Sequence, residues 1–223
     1  MTRVKICGIS DFETALAAVR SGADYIGMVF APSHRQIPME EAVHLLRSIH
    51  VLKPRPVIVG VFVNRGATGV NRVAGLCGMD WVQLSGTETW EYCKQIEIPI
   101  IKAIHISGQK SEEVIAEIEK GHQILGTREF ICLLDTASKE AYGGTGQTFD
   151  WKVAKEVAAR FPVMIAGGLT PDNVGQLIKE VKPWGVDVSS GVETNGVKEV
   201  TKIAAFIEAV RKADKDTQTP LHI

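Results

Sequence analysis

Eight short runs of β-branched and apolar residues recur along the chain, and a stretch with helical periodicity follows each one. The runs cover residues 4–7, 25–30, 57–63, 81–84, 100–106, 130–135, 163–166 and 186–189. They are apolar at successive positions, as strands buried on both faces must be. The stretches after them are 11–21, 39–49, 67–76, 88–95, 111–120, 151–161, 171–181 and 197–212. Eight β-then-α units in a row favour a single closed (β/α)₈ TIM barrel. An eight-stranded doubly wound open sheet is the alternative. It would usually carry a glycine-rich dinucleotide fingerprint after its first strand, whereas here that strand runs into CGISD.

At 223 residues the chain is long enough for one such barrel. No linker or low-complexity stretch divides it, so residues 1–213 are expected to form the barrel domain. Residues 214–223 are expected to form a polar, frayed tail. Ser10 with Glu13 has the spacing of a capping box for the first helix. Thr170 before Pro171 places a cap residue ahead of a proline suited to the first helical position.

With 25 basic and 26 acidic residues the net charge is −1, and no basic stripe suggests nucleic acid or an anionic membrane as a partner. No apolar run approaches the length of a membrane helix. The opening MTRVKICG lacks the apolar core of a secretory signal. The four cysteines, Cys7, Cys77, Cys93 and Cys132, show no metal-ligand spacing. A cytoplasmic protein with reduced thiols, and with no metal or cofactor, is the expectation.

In a barrel, chemistry gathers at the carboxyl ends of the strands. Those ends carry Cys7, then Arg35 in the second loop, Asp135, AGGL with Gly167 and Gly168, and SSGVE with Ser189, Ser190 and Gly191. The loops after strands seven and eight often cradle a phosphate with backbone N–H groups, and glycine lets the backbone approach. Asp135 ends the apolar FICLLD and is followed by a long loop rather than a helix, so capping fits poorly. A carboxyl at an apolar rim is partly desolvated, which favours its protonated form and a role as proton donor. Strand alternation turns Cys7 and Lys5 to one face. Cys7 differs from the other three thiols by its place at a strand's functional end, where helix amino termini and an Arg would favour thiolate. Arg35 supplies a fixed cation suited to a carboxylate or second anion. Together these residues read as proton-transfer chemistry on a small phosphorylated metabolite.

The sequence resembles the phosphoribosylanthranilate isomerase family of tryptophan biosynthesis. The likeness runs in order through VKICGI, GADYIGMVF, SHRQI, VGVFVN, VQLSG, LLD, GGTGQTFDW, IAGGLTPDNV and DVSSGVE. It implies a (β/α)₈ fold and an Amadori rearrangement without metal or cofactor. N-(5-phosphoribosyl)anthranilate would become 1-(2-carboxyphenylamino)-1-deoxyribulose 5-phosphate. By resemblance Cys7 is the base, Asp135 the acid and Arg35 the carboxylate contact, and the phosphate loops fall at 167–168 and 189–191. Ser85 stands where relatives often have His, and Gln147 where many have Lys. The histidine-pathway isomerase, which performs the same rearrangement with an aspartate at the end of strand one, is a rival. A phosphate-binding regulatory barrel is a second. Monomer and homodimer are both compatible with the sequence.

Strand parity adds an expectation below the rim. Lys5 lies two residues before Cys7, and Asp187 two residues before Ser189 on the strand that closes the barrel. Each needs a partner if buried, so the two are expected to meet.

Overall fold

The structure, a computed structural model, describes residues 1–135 and 151–218. Eight parallel strands close into a barrel in chain order: β1 (Arg3–Cys7), β2 (Tyr25–Val29), β3 (Val57–Phe62), β4 (Trp81–Leu84), β5 (Ile100–His105), β6 (Phe130–Asp135), β7 (Val163–Ala166) and β8 (Gly185–Val188). The helices are α1 (Phe12–Ser21), α2 (Met39–Ile49), α3 (Ala67–Cys77), α4 (Trp90–Cys93), α5 (Ser111–Leu125), α6 (Lys152–Ala158), α7 (Val174–Val181) and α8 (Val200–Gln218). The open-sheet alternative is excluded, because β8 pairs in parallel with β1.

Alternation along the strands divides the apolar residues into two cores. The larger lies between strands and helices and includes Val4, Ile6, Ile26, Cys132 and Leu134. The smaller fills the barrel with Tyr25, Val59, Ile101, Ala103, Ile131, Leu133, Met164 and Ala166. Tyr25, Trp81 and Trp184 meet at its amino-terminal end, where the Arg3 guanidinium lies 4.4 Å from the Trp184 ring centroid. These rings close the interior from below.

Four local expectations are corrected. The first helix is capped by Asp11, not Ser10: its carboxylate accepts from Thr14 N at 2.8 Å. Thr170–Pro171 does not open α7. Asn173 Oδ1 accepts from Thr170 N at 2.8 Å, and the resulting turn delays the helix to Val174. Gly121 does not end α5. A Cβ there would come within 2.7 Å of the Trp90 ring, so the glycine admits that indole, and the helix runs on to Leu125. Finally, α8 starts at Val200 rather than 197, because β9 (Glu193–Thr194) and β10 (Val197–Lys198) form a hairpin first. Asn195 and Gly196 turn it with φ of 52° and 79°, the positive values that an Asn–Gly hairpin turn requires.

The expectation of a frayed tail from residue 214 is also corrected. Helix α8 continues to Gln218, and buried Asp214 accepts from Thr2 N at 2.9 Å and from Thr2 Oγ1 at 2.6 Å. Arg211 donates to Thr2 O and Gly22 O. The last helix thus ties down the first strand. Residues 219–223 lie outside the described residues.

Candidate active site

The deepest polar layer of the barrel is an ion pair. Lys5 pairs in register with Asp187, and its Nζ lies 2.9 Å from Asp187 Oδ1. The expected meeting of these residues is therefore present. Lys5 is fully buried. Burial alone would lower its pKa, but the Asp187 carboxylate, and after it Cys7, hold the ammonium above its ordinary value. One step up the strand, Cys7 faces the same interior and pairs with Gly27. A Cβ on Gly27 would lie 2.9 Å from Lys5 Nζ and 3.0 Å from Cys7 Sγ, so the missing side chain is the space both groups occupy.

Burial pushes the Cys7 thiol up, and Asp187 adds to the rise; the Lys5 ammonium and Lys198 pull the other way. Helix termini and Arg35 were the expected source of thiolate stabilisation. That is corrected: the opposing cations are Lys5 and Lys198, and burial outweighs them in the resting site. Cys77, Cys93 and Cys132 are buried free thiols, as expected. Burial pushes Cys93 up to about 11 and Cys132 up to about 12.

Arg35 crosses over Gly8, where a Cβ would come within 2.8 Å of its Cδ and where φ is +82°. Its guanidinium holds Glu193 in a two-pronged pair, Nε to Oε1 at 2.7 Å and Nη2 to Oε2 at 2.8 Å. Lys198 Nζ reaches Glu193 Oε1 at 2.6 Å and Ser189 O at 2.8 Å. Ser189 Oγ in turn donates to Cys7 O at 3.1 Å. Burial would raise the Glu193 carboxyl, but hydrogen bonds from Arg35 and Lys198 hold it down at about 2. Burial draws the Lys198 ammonium below its ordinary value despite Glu193. These contacts join β1, the loop after β2 and the β9–β10 hairpin beside Cys7.

The two glycine loops lie together. Gly167 and Gly168 have φ of +95° and +63°. Asn173 Nδ2 donates to Gly168 O at 2.9 Å, fixing that loop. Ser190 opens a single 3₁₀ turn, Ser190–Val192. A Cβ on Gly191 would fall 1.8 Å from the Leu169 carbonyl oxygen, so only glycine lets the loop after β8 rest on the loop after β7.

Asp135 ends β6 on the interior face, opposite to that of Cys132, and its side chain is 29% exposed. Its register partner is His105, the last residue of β5, whose Nδ1 lies 3.4 Å from Asp135 Oδ2. His105 Nε2 lies 3.0 Å from the Ser85 carbonyl oxygen. Gln147 lies outside the described residues.

The structure therefore sets every described candidate at the carboxyl-terminal rim of the barrel. Cys7, Arg35 and Ser189 are linked by contacts with Lys198 and Glu193. The loops at 167–168 and 190–191 touch, and Asp135 stands apart on β6. Among the described residues no group of three or more His, Cys, Asp or Glu could hold a metal ion, and no helix is long and apolar enough to cross a membrane. Sequence reasoning missed Lys198, Glu193 and His105. The Asn195–Gly196 pair was a signal for the hairpin that carries the first two. His105 sits on the face that alternation assigns to the interior, and that parity was its signal.

Comparison with known proteins bears on the family and the fold. A family model described as N-(5'phosphoribosyl)anthranilate (PRA) isomerase matches residues 4–209. The N-(5'-phosphoribosyl)anthranilate isomerase of Dehalococcoides mccartyi is 50% identical over 215 residues, 96% of this chain and 98% of that one. The crystal structure of phosphoribosyl anthranilate isomerase from Thermotoga maritima superposes with a TM-score of 0.80 at 41% identity, covering 95% of this chain and all of the other. A further phosphoribosyl anthranilate isomerase structure, in complex with reduced 1-(o-carboxyphenylamino)-1-deoxyribulose 5-phosphate, gives 0.77 at 38% identity, with 95% and 100% covered. A family model over most of the chain, a matching fold and half of the aligned residues shared with a relative lead to one conclusion: the chain belongs to the N-(5'-phosphoribosyl)anthranilate isomerase family.

Proposed function

We propose that this protein isomerises N-(5'-phosphoribosyl)anthranilate to 1-(2-carboxyphenylamino)-1-deoxyribulose 5-phosphate, with Cys7 as base and Asp135 as acid. The observation that carries the reading is the mouth of the barrel. An inward thiol ends β1, an inward carboxyl ends β6, and two touching glycine loops follow β7 and β8. The family and the ligand named in the structure of its relative are consistent with it.

Asp135, protonated, gives its proton to the furanose ring oxygen. The ring C–O bond breaks and a protonated imine forms between C1′ and the anthranilate nitrogen. The imine makes the C2′ hydrogen acidic, and Cys7, as the thiolate left once its thiol proton has passed to solvent, removes it, giving an enolamine. The thiol then returns a proton to C1′ while the C2′ hydroxyl returns one to the Asp135 carboxylate. Product is the ketone, and both enzyme groups end as they began. Lys5 and Lys198 stabilise the thiolate whenever it forms, since both oppose the effect of burial. Arg35 offers a planar fork to the anthranilate carboxylate, a group of the same kind as the Glu193 carboxylate it already holds. Backbone N–H groups at 167–168 and 190–191 serve the 5′-phosphate.

The test is the fluorescence of phosphoribosylanthranilate, which purified protein should extinguish catalytically and which should persist without it. Inorganic phosphate should inhibit that decay competitively. Decay at the uncatalysed rate in the presence of protein would overturn the reading. Purely noncompetitive inhibition by phosphate would remove the glycine loops from it.

A further inference from the structure

The ring of His105 bridges two oxygens at the open side of the mouth. One belongs to the Ser85 carbonyl, 3.0 Å from Nε2. A backbone carbonyl only accepts, so Nε2 must carry a hydrogen. That choice settles what the other nitrogen can be. Nδ1 lies 3.4 Å from Asp135 Oδ2. In a neutral ring protonated on Nε2, Nδ1 presents a lone pair. Facing the carboxyl, that nitrogen can accept a hydrogen from the protonated acid. The ring is thus placed to orient the carboxyl that the proposed reaction uses as acid.

The backbone supports the contact. His105 and Asp135 are register partners on adjacent parallel strands, and Ile106 N donates to Asp135 O at 2.9 Å. The ring is thus held at both nitrogens by neighbouring strands, β4 through the carbonyl just beyond its end and β6 through the carboxyl.

We propose that His105 is a positioning residue for the Asp135 acid: the Ser85 carbonyl fixes its tautomer, and Nδ1 faces and orients the carboxyl. When Asp135 gives its proton to the ring oxygen, a carboxylate remains beside Nδ1. It is reprotonated by the hydrogen released from the C2′ hydroxyl, across the same contact. This inference rests on the assignment of Asp135 above.

Two measurements test it. The first needs no turnover. Nitrogen-15 NMR of the ring should show hydrogen on Nε2 of His105 in the wild type, and Asp135→Ala should move the Nδ1 resonance while leaving Nε2 bonded. A ring protonated on Nδ1 alone, or an Nδ1 resonance indifferent to Asp135→Ala, would overturn the proposal. The second is single-turnover decay of phosphoribosylanthranilate fluorescence. His105→Ala should slow decay about tenfold or more, with KM within about twofold of wild type, because an acid–base group is worth about 10²–10⁴-fold and its orientation a part of that. Imidazole added to His105→Ala should restore part of the rate. His105→Gln, whose amide can donate to Ser85 O and accept from Asp135, should retain more of the rate than alanine does. Unchanged decay in His105→Ala, or loss through KM alone, would refute the positioning role. A wild-type protein that does not turn over would refute the isomerase reading and leave the NMR result as the arbiter of the pair.

Discussion

On the β8–β1–β2 side of the mouth, Cys7 lies at 7% exposure above a fully buried ammonium, flanked by Lys198, Arg35 and Glu193. On the β4–β5–β6 side, Asp135 and His105 are 29% and 52% exposed, and the His105 ring reaches the Ser85 carbonyl. The contrast follows from what each group would do. A thiol used as base must carry charge briefly in a dry place, so its counter-ions have to be built in and themselves paired. Lys5 against Asp187 and Lys198 against Glu193 meet that need. An acid that gives and regains a proton in each cycle works well at a wetter edge, with a partner to orient it. Among the described residues, the ion pairs Lys5–Asp187, Arg35–Glu193 and Lys198–Glu193 sit around the base.

The largest effect on stability is expected at the bottom of the base side. Lys5→Met should destabilise by about 3–5 kcal/mol in denaturant unfolding, because Asp187 is left buried and unpaired, and Asp187→Asn should behave alike. A double change to apolar residues of similar volume should cost less than either single change. Single changes that cost little would show that water reaches the pair and that the two sides differ less than described.

The barrel was legible because its signal is repetitive. Eight two-face apolar runs with helices between them leave few architectures, and alternation within a strand was enough to place Lys5 opposite Asp187. It also separated Cys7 from Cys132, which faces the helices. What escaped were features in which a residue answers to tertiary contact rather than to its own segment. Gly121 reads as a helix stop but serves Trp90. Asp214 reads as polar tail but holds the first strand through Thr2. Lys198 reads as the first turn of a helix, yet the hairpin swings it onto Ser189 and Glu193. The source of charge beside Cys7 was misread for the same reason: no local pattern announces that a lysine nine residues beyond Ser189 returns to it.

A smaller effect compares glycines on the two sides. Gly108, in the loop after β5, has φ +93° with open space around its missing Cβ. Gly108→Ala should cost only backbone strain, about 1–2 kcal/mol. Gly8→Ala carries the same kind of strain and also drives a Cβ to 2.8 Å from Arg35 Cδ and 3.3 Å from Ser189 Oγ. It should cost more than Gly108→Ala by urea unfolding. Equal costs would mean that Arg35 yields freely and that the base side is looser than its contacts imply.

The smallest effect is read from the acid limb of stability. The Glu193 carboxyl is held at about 2 against an ordinary 4.5. A depressed carboxyl stabilises the fold fully above the unfolded value and loses that contribution as pH falls through the folded one. Glu193→Gln should therefore flatten the fall in stability between pH 4.5 and 2 while lowering stability at neutral pH. An acid limb identical to that of wild type would show that the Arg35–Glu193–Lys198 cluster is not linked to folding.

The central claim is that one side of the mouth removes a carbon-bound proton while the other donates one to the ring oxygen. Single-turnover decay of phosphoribosylanthranilate fluorescence in wild type, Cys7→Ala and Asp135→Asn tests it most directly, with binding of the reduced product analogue measured in parallel. The account predicts that each variant slows decay by about 10²–10⁴-fold while the analogue binds nearly as in wild type. Wild-type decay in Cys7→Ala or in Asp135→Asn would contradict it.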